Sequence, residues 1–424
     1  MSNIQKINAY EIIDSRGVPT IEAKLTLKTG QTVVSAVPAG TSTGKFEAWE
    51  LRDNDANRFD GNGLLKAIKN INEVIAPKLI GASVLQQTQI DNWLIKSDGT
   101  KNKSKFGANA ILVISQLIAK AGALTQKIPL FQYINYLYNQ QTKSQLKISK
   151  IPSPIFNIIN GGKHANNTLE FQEFQVVLSS SNSFSKSYKT VVELYHELKR
   201  VLIYRNANIS VGSEGGYAPN LSSNIDALEI LNETFAKKKL KPGLDVFIGL
   251  DIGATNFYKD QRYFLKNYPH PLTRDDYIEM LIDITKQYSV LIFEDPLQEE
   301  DFKGWSVLNS KISKEIYLVG DDLLVTNKER LQKAINEKAC NTILIKPNQI
   351  GTISETIEVI NIAKKNNFSC IVSHRSGESN DTFIADFGVG VQSDYVKFGA
   401  PSRGERVAKY NRLWEIEREE LKLI

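Results

Sequence analysis

A series of short apolar runs, each ending on an ionisable residue, constrains this chain more than any other feature. VFIGL ends at Asp251, VLIF at Glu294, IYLVG at Asp321, TILI at Lys346, CIVS at His374 and Arg375, and YV at Lys397. Successive ends lie 43, 27, 25, 28 and 23 residues apart, each about one strand–helix unit. Amphipathic segments fill the intervals and begin at capping residues: Asn224 before Ile225–Lys237, Thr273 before Arg274–Gln287, and Thr352 with Glu355 as a capping box. Strand–helix alternation of this length predicts an α/β fold built on a (β/α) barrel. In such a barrel the carboxyl ends of the strands converge on one face, where active sites form. One ionisable strand end is a solvated terminus; six in succession predict a site.

The N-terminal part has a different rhythm. Glu22–Leu27 and Gln31–Val37 flank Lys28–Gly30 as a hairpin, and Gly63–Ala76 and Asn109–Ala123 carry helical periodicity. A polar stretch between Tyr133 and Lys150 marks the boundary, so the expected domains are a smaller α+β unit over residues 1–135 and a barrel over 145–424. The aromatic run Phe131, Tyr133, Tyr136 and Tyr138 is expected to serve packing.

Composition removes several function classes. Lys and Arg total 52 against 47 Asp and Glu, a net +5 with the signs interspersed. No basic stripe with interleaved aromatics is present, so nucleic-acid binding is not indicated. Cys340 and Cys370 are too few for a disulfide framework and are expected as buried thiols. The start, MSNIQKINAY, has no apolar core of signal-peptide length. The most apolar segment, Ile111–Leu124, is broken by Ser115, Gln116 and Lys120 and reads as a buried helix, not a membrane span. The expectation is a soluble, cytoplasmic protein.

The strand ends also predict chemistry. Asp251, Glu294 and Asp321 are hard oxygen ligands with no His or Cys at the neighbouring ends, which favours Mg²⁺ or Mn²⁺. Lys346 and Lys397 are expected across from the metal, where nearby positive charge lowers a Lys pKa and suits it to act as a general base. Arg375 with Ser376 offers a forked donor and a hydroxyl suited to phosphate. Together they predict proton abstraction beside a carboxylate, with metal stabilising the enolate-like intermediate.

Set beside their neighbours, these residues fall in a run of specific motifs: DSRGVPT (Asp14–Thr20), VPAGTSTG (Val37–Gly44), KNKSKFGANAIL (Lys101–Leu112), NIINGGKHA (Asn157–Ala165), VGSEGGYAPN (Val211–Asn220), VGDDLLVTN (Val319–Asn327), IKPNQIGT (Ile345–Thr352), IVSHRSGES (Ile371–Ser379) and APSRGERVAKYN (Ala400–Asn411). One glycine-rich motif would be weak, but this ordered set resembles the enolase family from end to end. The resemblance implies an enolase-type (β/α)8 barrel whose early strands are not all parallel, with a smaller N-terminal α+β domain capping it. It implies a hydro-lyase of glycolysis and gluconeogenesis that interconverts 2-phospho-D-glycerate and phosphoenolpyruvate with two Mg²⁺ per site, in a homo-oligomer, dimer or octamer. The use of a Lys or His base with one or two Mg²⁺ is a general rule of enolase-superfamily sites.

Carried over motif by motif, Lys346 resembles the base that removes the C2 proton, and Glu214 the acid that protonates the departing C3 hydroxyl. Asp251, Glu294 and Asp321 match the metal ligands, and Ser42 the residue that helps bind the second metal. Arg375 and Ser376 match phosphate contacts and Lys397 a carboxylate contact. Gln172, Glu173, His164 and His374 fall at supporting substrate and proton-relay positions. A Glu can act as the acid only with a raised pKa, which a neighbouring carboxylate, Glu173, is expected to supply. The chain departs from the family at Val18 (usually Asn), Ala39 (Ser), Thr41 (Ala), Ser213 (Asp) and Phe398 (Thr), none of them a proton-transfer residue. A superfamily dehydratase or racemase would share the three carboxylates without SHRSGE and EGGYAPN. A divergent relative with an altered substrate is the alternative reading, and a non-catalytic binding protein another, the latter marked by loss of Lys346, Glu214 or a ligand; all are present.

Overall fold

The computed structural model of the chain describes residues 2–40 and 44–421. Strands β1 (Ile4–Ile13), β2 (Pro19–Leu27) and β3 (Thr32–Ala36) form an antiparallel sheet in chain order. Asp14 sets the first turn: its Oδ1 accepts hydrogen bonds from the backbone of Arg16 at 2.8 Å and of Val18 at 3.1 Å. The buried side of β2 (Ile21, Ala23, Leu25, Leu27) packs against the helix Ala108–Gln126 in one apolar cluster. That helix is long and apolar enough to cross a membrane, but its most apolar window is 83% buried inside the fold. Ser115 and Gln116, the polar interruptions in its sequence, meet buried partners: Gln87 Nε2 donates to Ser115 Oγ and Ser35 Oγ to Gln116 Oε1.

The barrel follows. Its strands are β4 (Ser153–Asn160), β5 (Glu173–Leu178), β6 (Val246–Asp251), then, after a small hairpin of β7 (Tyr258–Lys259) and β8 (Arg262–Tyr263), β9 (Val290–Glu294), β10 (Tyr317–Gly320), β11 (Thr342–Ile345), β12 (Ser369–Ser373) and β13 (Tyr395–Lys397). They close in the order β4–β5–β6–β9–β10–β11–β12–β13 and back to β4. β5 runs antiparallel to both β4 and β6, and the remaining pairs are parallel. Reversal brings the beginning of β5, not its end, to the mouth, so that Glu173 pairs across from Asp251. One residue from each of seven strands (Ile155, Val177, Ile292, Val319, Leu344, Ile371, Tyr395) fills a separate buried layer, with Phe247 of β6 packed against it. This is the side-chain-filled interior of a barrel.

Two of the three expected caps are in place. Thr273 Oγ1 accepts from Asp276 N at 3.2 Å, and Thr352 Oγ1 from Glu355 N at 3.1 Å. The helix Asn224–Lys237 is capped instead by Ser223, whose Oγ accepts from Asp226 N at 3.0 Å. Asn224 lies inside the helix, where its Oδ1 accepts from the backbone of Glu170 and Phe171. Phe131, Tyr133 and Tyr138 are buried on the helix Leu130–Thr142, which packs on the barrel helix Phe383–Gly390, while Tyr136 is exposed. Cys340 and Cys370 are buried free thiols. The sheet is fastened to the barrel by a two-way backbone pairing of Ala39 with Gly377, both bonds 2.9 Å, and by Lys120 on Asp381.

Candidate active site

Every expected strand-end residue reaches one cleft of about 480 Å³ or its wall. Asp251, Asp321, Lys346, His374, Arg375, Ser376 and Lys397 line it with Gln172, Glu173, His164 and Glu214. Glu294 is buried directly behind, on the strand beside Asp251. Ser42 and Thr41 lie outside the described residues. Two glycines allow this crowding. A Cβ on Gly253 (φ +56°) would meet Gln172 Nε2 at 1.7 Å, and one on Gly399 (φ +89°) would meet the Glu214 carbonyl at 2.8 Å.

Carboxylates dominate one wall. Lys397 Nζ sits 2.9 Å from Glu173, 3.3 Å from Asp251 and 2.7 Å from Glu294. Burial lowers the Lys397 pKa, and these three carboxylates outweigh it and hold the ammonium well above its usual range. Burial and the facing Glu294 push Asp251 well up; burial also pushes up Glu294, against the pull of Lys397. Asp321 is ion-paired with Lys346. Burial works to raise its pKa, but the Lys346 charge wins and lowers it.

Asp295 and Asp322, which the sequence reading did not select, place carboxylate oxygens within 4.8 Å of those of Asp321. Burial and Asp321 push Asp322 up to about 7, and burial with Asp322 pushes Asp295 well above the carboxylate range. Asp295 has φ +42° and accepts from the backbone N–H of Asp321 at 3.0 Å and Asp322 at 2.7 Å, so it holds the end of β10 in place. So many buried acids resist joint ionisation unless a compact cation shares them. Among the described residues the all-oxygen group close enough to share one hard divalent ion is Asp295, Asp321 and Asp322, while Asp251 and Glu294, on the neighbouring strands, face Lys397.

Three expectations about proton affinity are reversed, that of a low Lys397 by the carboxylates packed around its ammonium. Lys346 was expected low; burial does lower it, but contact with Asp321 raises its pKa on balance. Glu214 was expected high through Glu173. Burial raises it, but His374 and His164 overcome that and hold it well below the carboxylate range. Glu214 Oε2 accepts from Asn157 Nδ2 at 3.0 Å and lies 3.3 Å from His374 Nε2, and Oε1 lies 3.9 Å from His164 Nδ1. His164 Nδ1 is 3.2 Å from Glu173; burial lowers its pKa, and the two glutamates outweigh that and raise it.

Two further residues escaped the sequence reading. Arg406, fully buried, donates from Nη1 to His374 Nδ1 and to the Arg375 carbonyl, both at 2.6 Å, and from Nη2 to the Ser376 and Ser213 carbonyls at 2.5 and 3.2 Å. Glu47 reaches the cleft from the N-terminal segment and pairs with Arg375. Arg406 sat inside a quoted motif and Glu47 three residues beyond another. Of the departures, Phe398 is fully buried against Tyr410, and Ser213 meets Arg406 through its carbonyl.

Comparison with known proteins agrees with this geometry. The family model for the enolase N-terminal domain matches residues 4–134, and that for the enolase C-terminal TIM barrel domain matches residues 148–422. An enolase of Ehrlichia canis (strain Jake) is 45% identical over 421 residues, covering 99% of this chain and 97% of that protein. With both domains matched and the barrel closed around the expected strand ends, the chain belongs to the enolase family and is an enzyme of the lyase class.

Proposed function

We propose that the chain reversibly dehydrates 2-phospho-D-glycerate to phosphoenolpyruvate, as a cytoplasmic enzyme of glycolysis and gluconeogenesis. The observation that carries this reading is the presence, in one cleft, of a lysine paired to a ligand-type aspartate and a glutamate that faces two histidines. A reaction that removes a proton at one carbon and protonates a leaving hydroxyl at the next needs one group for each task.

Lys346 is the base for the C2 proton, and Arg375 and Lys397 nearby both act to lower its pKa. Glu214 is the acid for the C3 hydroxyl. The His164–Glu173 pair stands beside it, with His164 Nδ1 3.9 Å from Glu214 Oε1, placed to resupply its proton. Arg375 and Ser376 receive the phosphoryl group, and Lys397 and Gln172 the carboxylate end. Asp251, Glu294 and Asp321, with Ser42 assisting at the second, would hold two divalent cations, whose chemistry there would be to offset the charge that develops on the substrate carboxylate. The oxygen donor set favours Mg²⁺, with Mn²⁺ the alternative. Family membership further supports a homo-oligomer, dimer or octamer.

Ultraviolet absorbance of phosphoenolpyruvate, followed on 2-phosphoglycerate with Mg²⁺ and then with chelator, tests the reading. Lys346→Ala and Glu214→Gln should each lower turnover by about 10²–10⁴. Only Glu214→Gln should still exchange the C2 hydrogen with solvent deuterium, because the base remains. No turnover by folded, Mg²⁺-supplied protein would overturn the proposal.

A further inference from the structure

We propose that Glu47 is the resident anion of the phosphate subsite: its carboxylate holds the Arg375 fork and is displaced when a phosphoryl group arrives. The inference rests on the reading of Arg375 as the phosphate contact. Arg375 Nη1 lies 2.9 Å from Glu47 Oε2 and Nη2 lies 3.2 Å from Oε1, with the two side chains 5% and 7% exposed. A guanidinium meets carboxylates and phosphates with the same pair of parallel N–H groups. Glu47 therefore holds an edge of Arg375 that an incoming phosphoryl group would use.

The rest of the arrangement suits exchange. Glu47 Oε1 also accepts from Gly44 N at 2.8 Å and lies 3.4 Å from Gln349 Nε2, two donors that keep the carboxylate close once it leaves the fork. Asn348 Oδ1 accepts from Arg375 Nη1 at 3.2 Å, and the Arg375 backbone N–H donates to Glu378 at 3.2 Å, so the arginine keeps its place during the exchange. Glu47 comes from the N-terminal segment and Arg375 from the end of a barrel strand, 328 positions apart. A tethered carboxylate competes at high effective concentration. It sets a threshold that a singly charged anion fails to cross and a dianionic phosphoryl group passes. Glu47 is thus a specificity-determining residue, selecting for the phosphorylated end of the substrate.

Calorimetric titration of the full chain with inorganic phosphate in Mg²⁺ tests this, with thermal melts to establish folding. Glu47→Gln should bind phosphate about tenfold more tightly, since the competing charge is gone and the shape is kept. KM for 2-phosphoglycerate should fall in the same variant. Glu47→Asp, which keeps the charge on a shorter arm, should fall between, and it serves if the amide variant does not fold. Arg375→Lys should weaken phosphate binding. Unchanged or weaker binding in Glu47→Gln, with weaker binding in Arg375→Lys, would overturn the displacement role and leave the phosphate contact standing. Unchanged binding in Arg375→Lys would overturn the phosphate contact and this inference with it.

Discussion

Arg406 Nη1 and His374 Nδ1 lie 2.6 Å apart, and because a guanidinium can only donate, the imidazole nitrogen must accept. His374 is thereby fixed as the tautomer with its proton on Nε2, which faces Glu214 Oε2 at 3.3 Å. The same arginine acts to lower the His374 pKa, adding to the larger effect of burial, and to lower that of Glu214. Arg406→Gln, which removes the charge, should raise the His374 pKa, visible by NMR titration, and lower kcat by about 10–100-fold, the usual effect of losing an orienting partner. A pH profile unchanged in this variant would remove Arg406 from the proton-transfer apparatus.

Divalent-ion binding should release protons. Asp251 and Glu294 have raised pKa values, chiefly through burial, so a cation that favours their charged forms competes with protons for them. Calorimetry in buffers of different ionisation enthalpy should therefore find proton release with Mg²⁺ that grows as pH falls. Affinity should fall in parallel.

Lys120 Nζ lies 2.6 and 2.8 Å from the Asp381 carboxylate, which also accepts from Ala36 N at 2.8 Å and Ser35 Oγ at 3.1 Å. Burial raises the Asp381 pKa, but Lys120 outweighs it and the net shift is downward. A depressed carboxyl contributes stability that is present above its unfolded pKa, about 3.9, and is lost as pH falls through the lower folded value. Asp381→Asn should cost about 3 kcal/mol at pH 7 by leaving Lys120 unpaired, and should flatten the acid limb of a stability–pH curve.

Phe398 occupies the core beside Tyr410, where the family usually has Thr, with ring centroids 5.9 Å apart. Phe398→Thr should cost about 3 kcal/mol in denaturant unfolding, from the cavity and the buried hydroxyl.

The ring of strand ends was legible because a (β/α) unit delivers each carboxyl end to the same face whatever its helices contain. Asp251, Glu294, Asp321, Lys346, Arg375 and Lys397 needed only that rule. Glu173 needed the resemblance, because β5 is reversed and presents its first residue to the mouth. Glu47 and Arg406 arrive from a loop and from the helix Gly404–Glu415, whose placement depends on packing that no local pattern encodes. The proton affinity of Glu214 failed for the same reason: His374, which pulls it down, stands 160 positions away.

The ring closes between its first and last strands, with Ile155 paired to Lys397. That pairing has a bearing on how a growing chain matures. Emerging from the ribosome, β4 has no partner on its outer edge until some 240 residues later, when β13 appears. The seam that seals the wall and the ammonium that neutralises Glu173, Asp251 and Glu294 are delivered by the same three-residue strand, Tyr395–Lys397. A nascent chain therefore carries its acidic wall without that ammonium, beside an open strand edge, until β13 has been made. Completion of the wall and charge balance at its centre are one event.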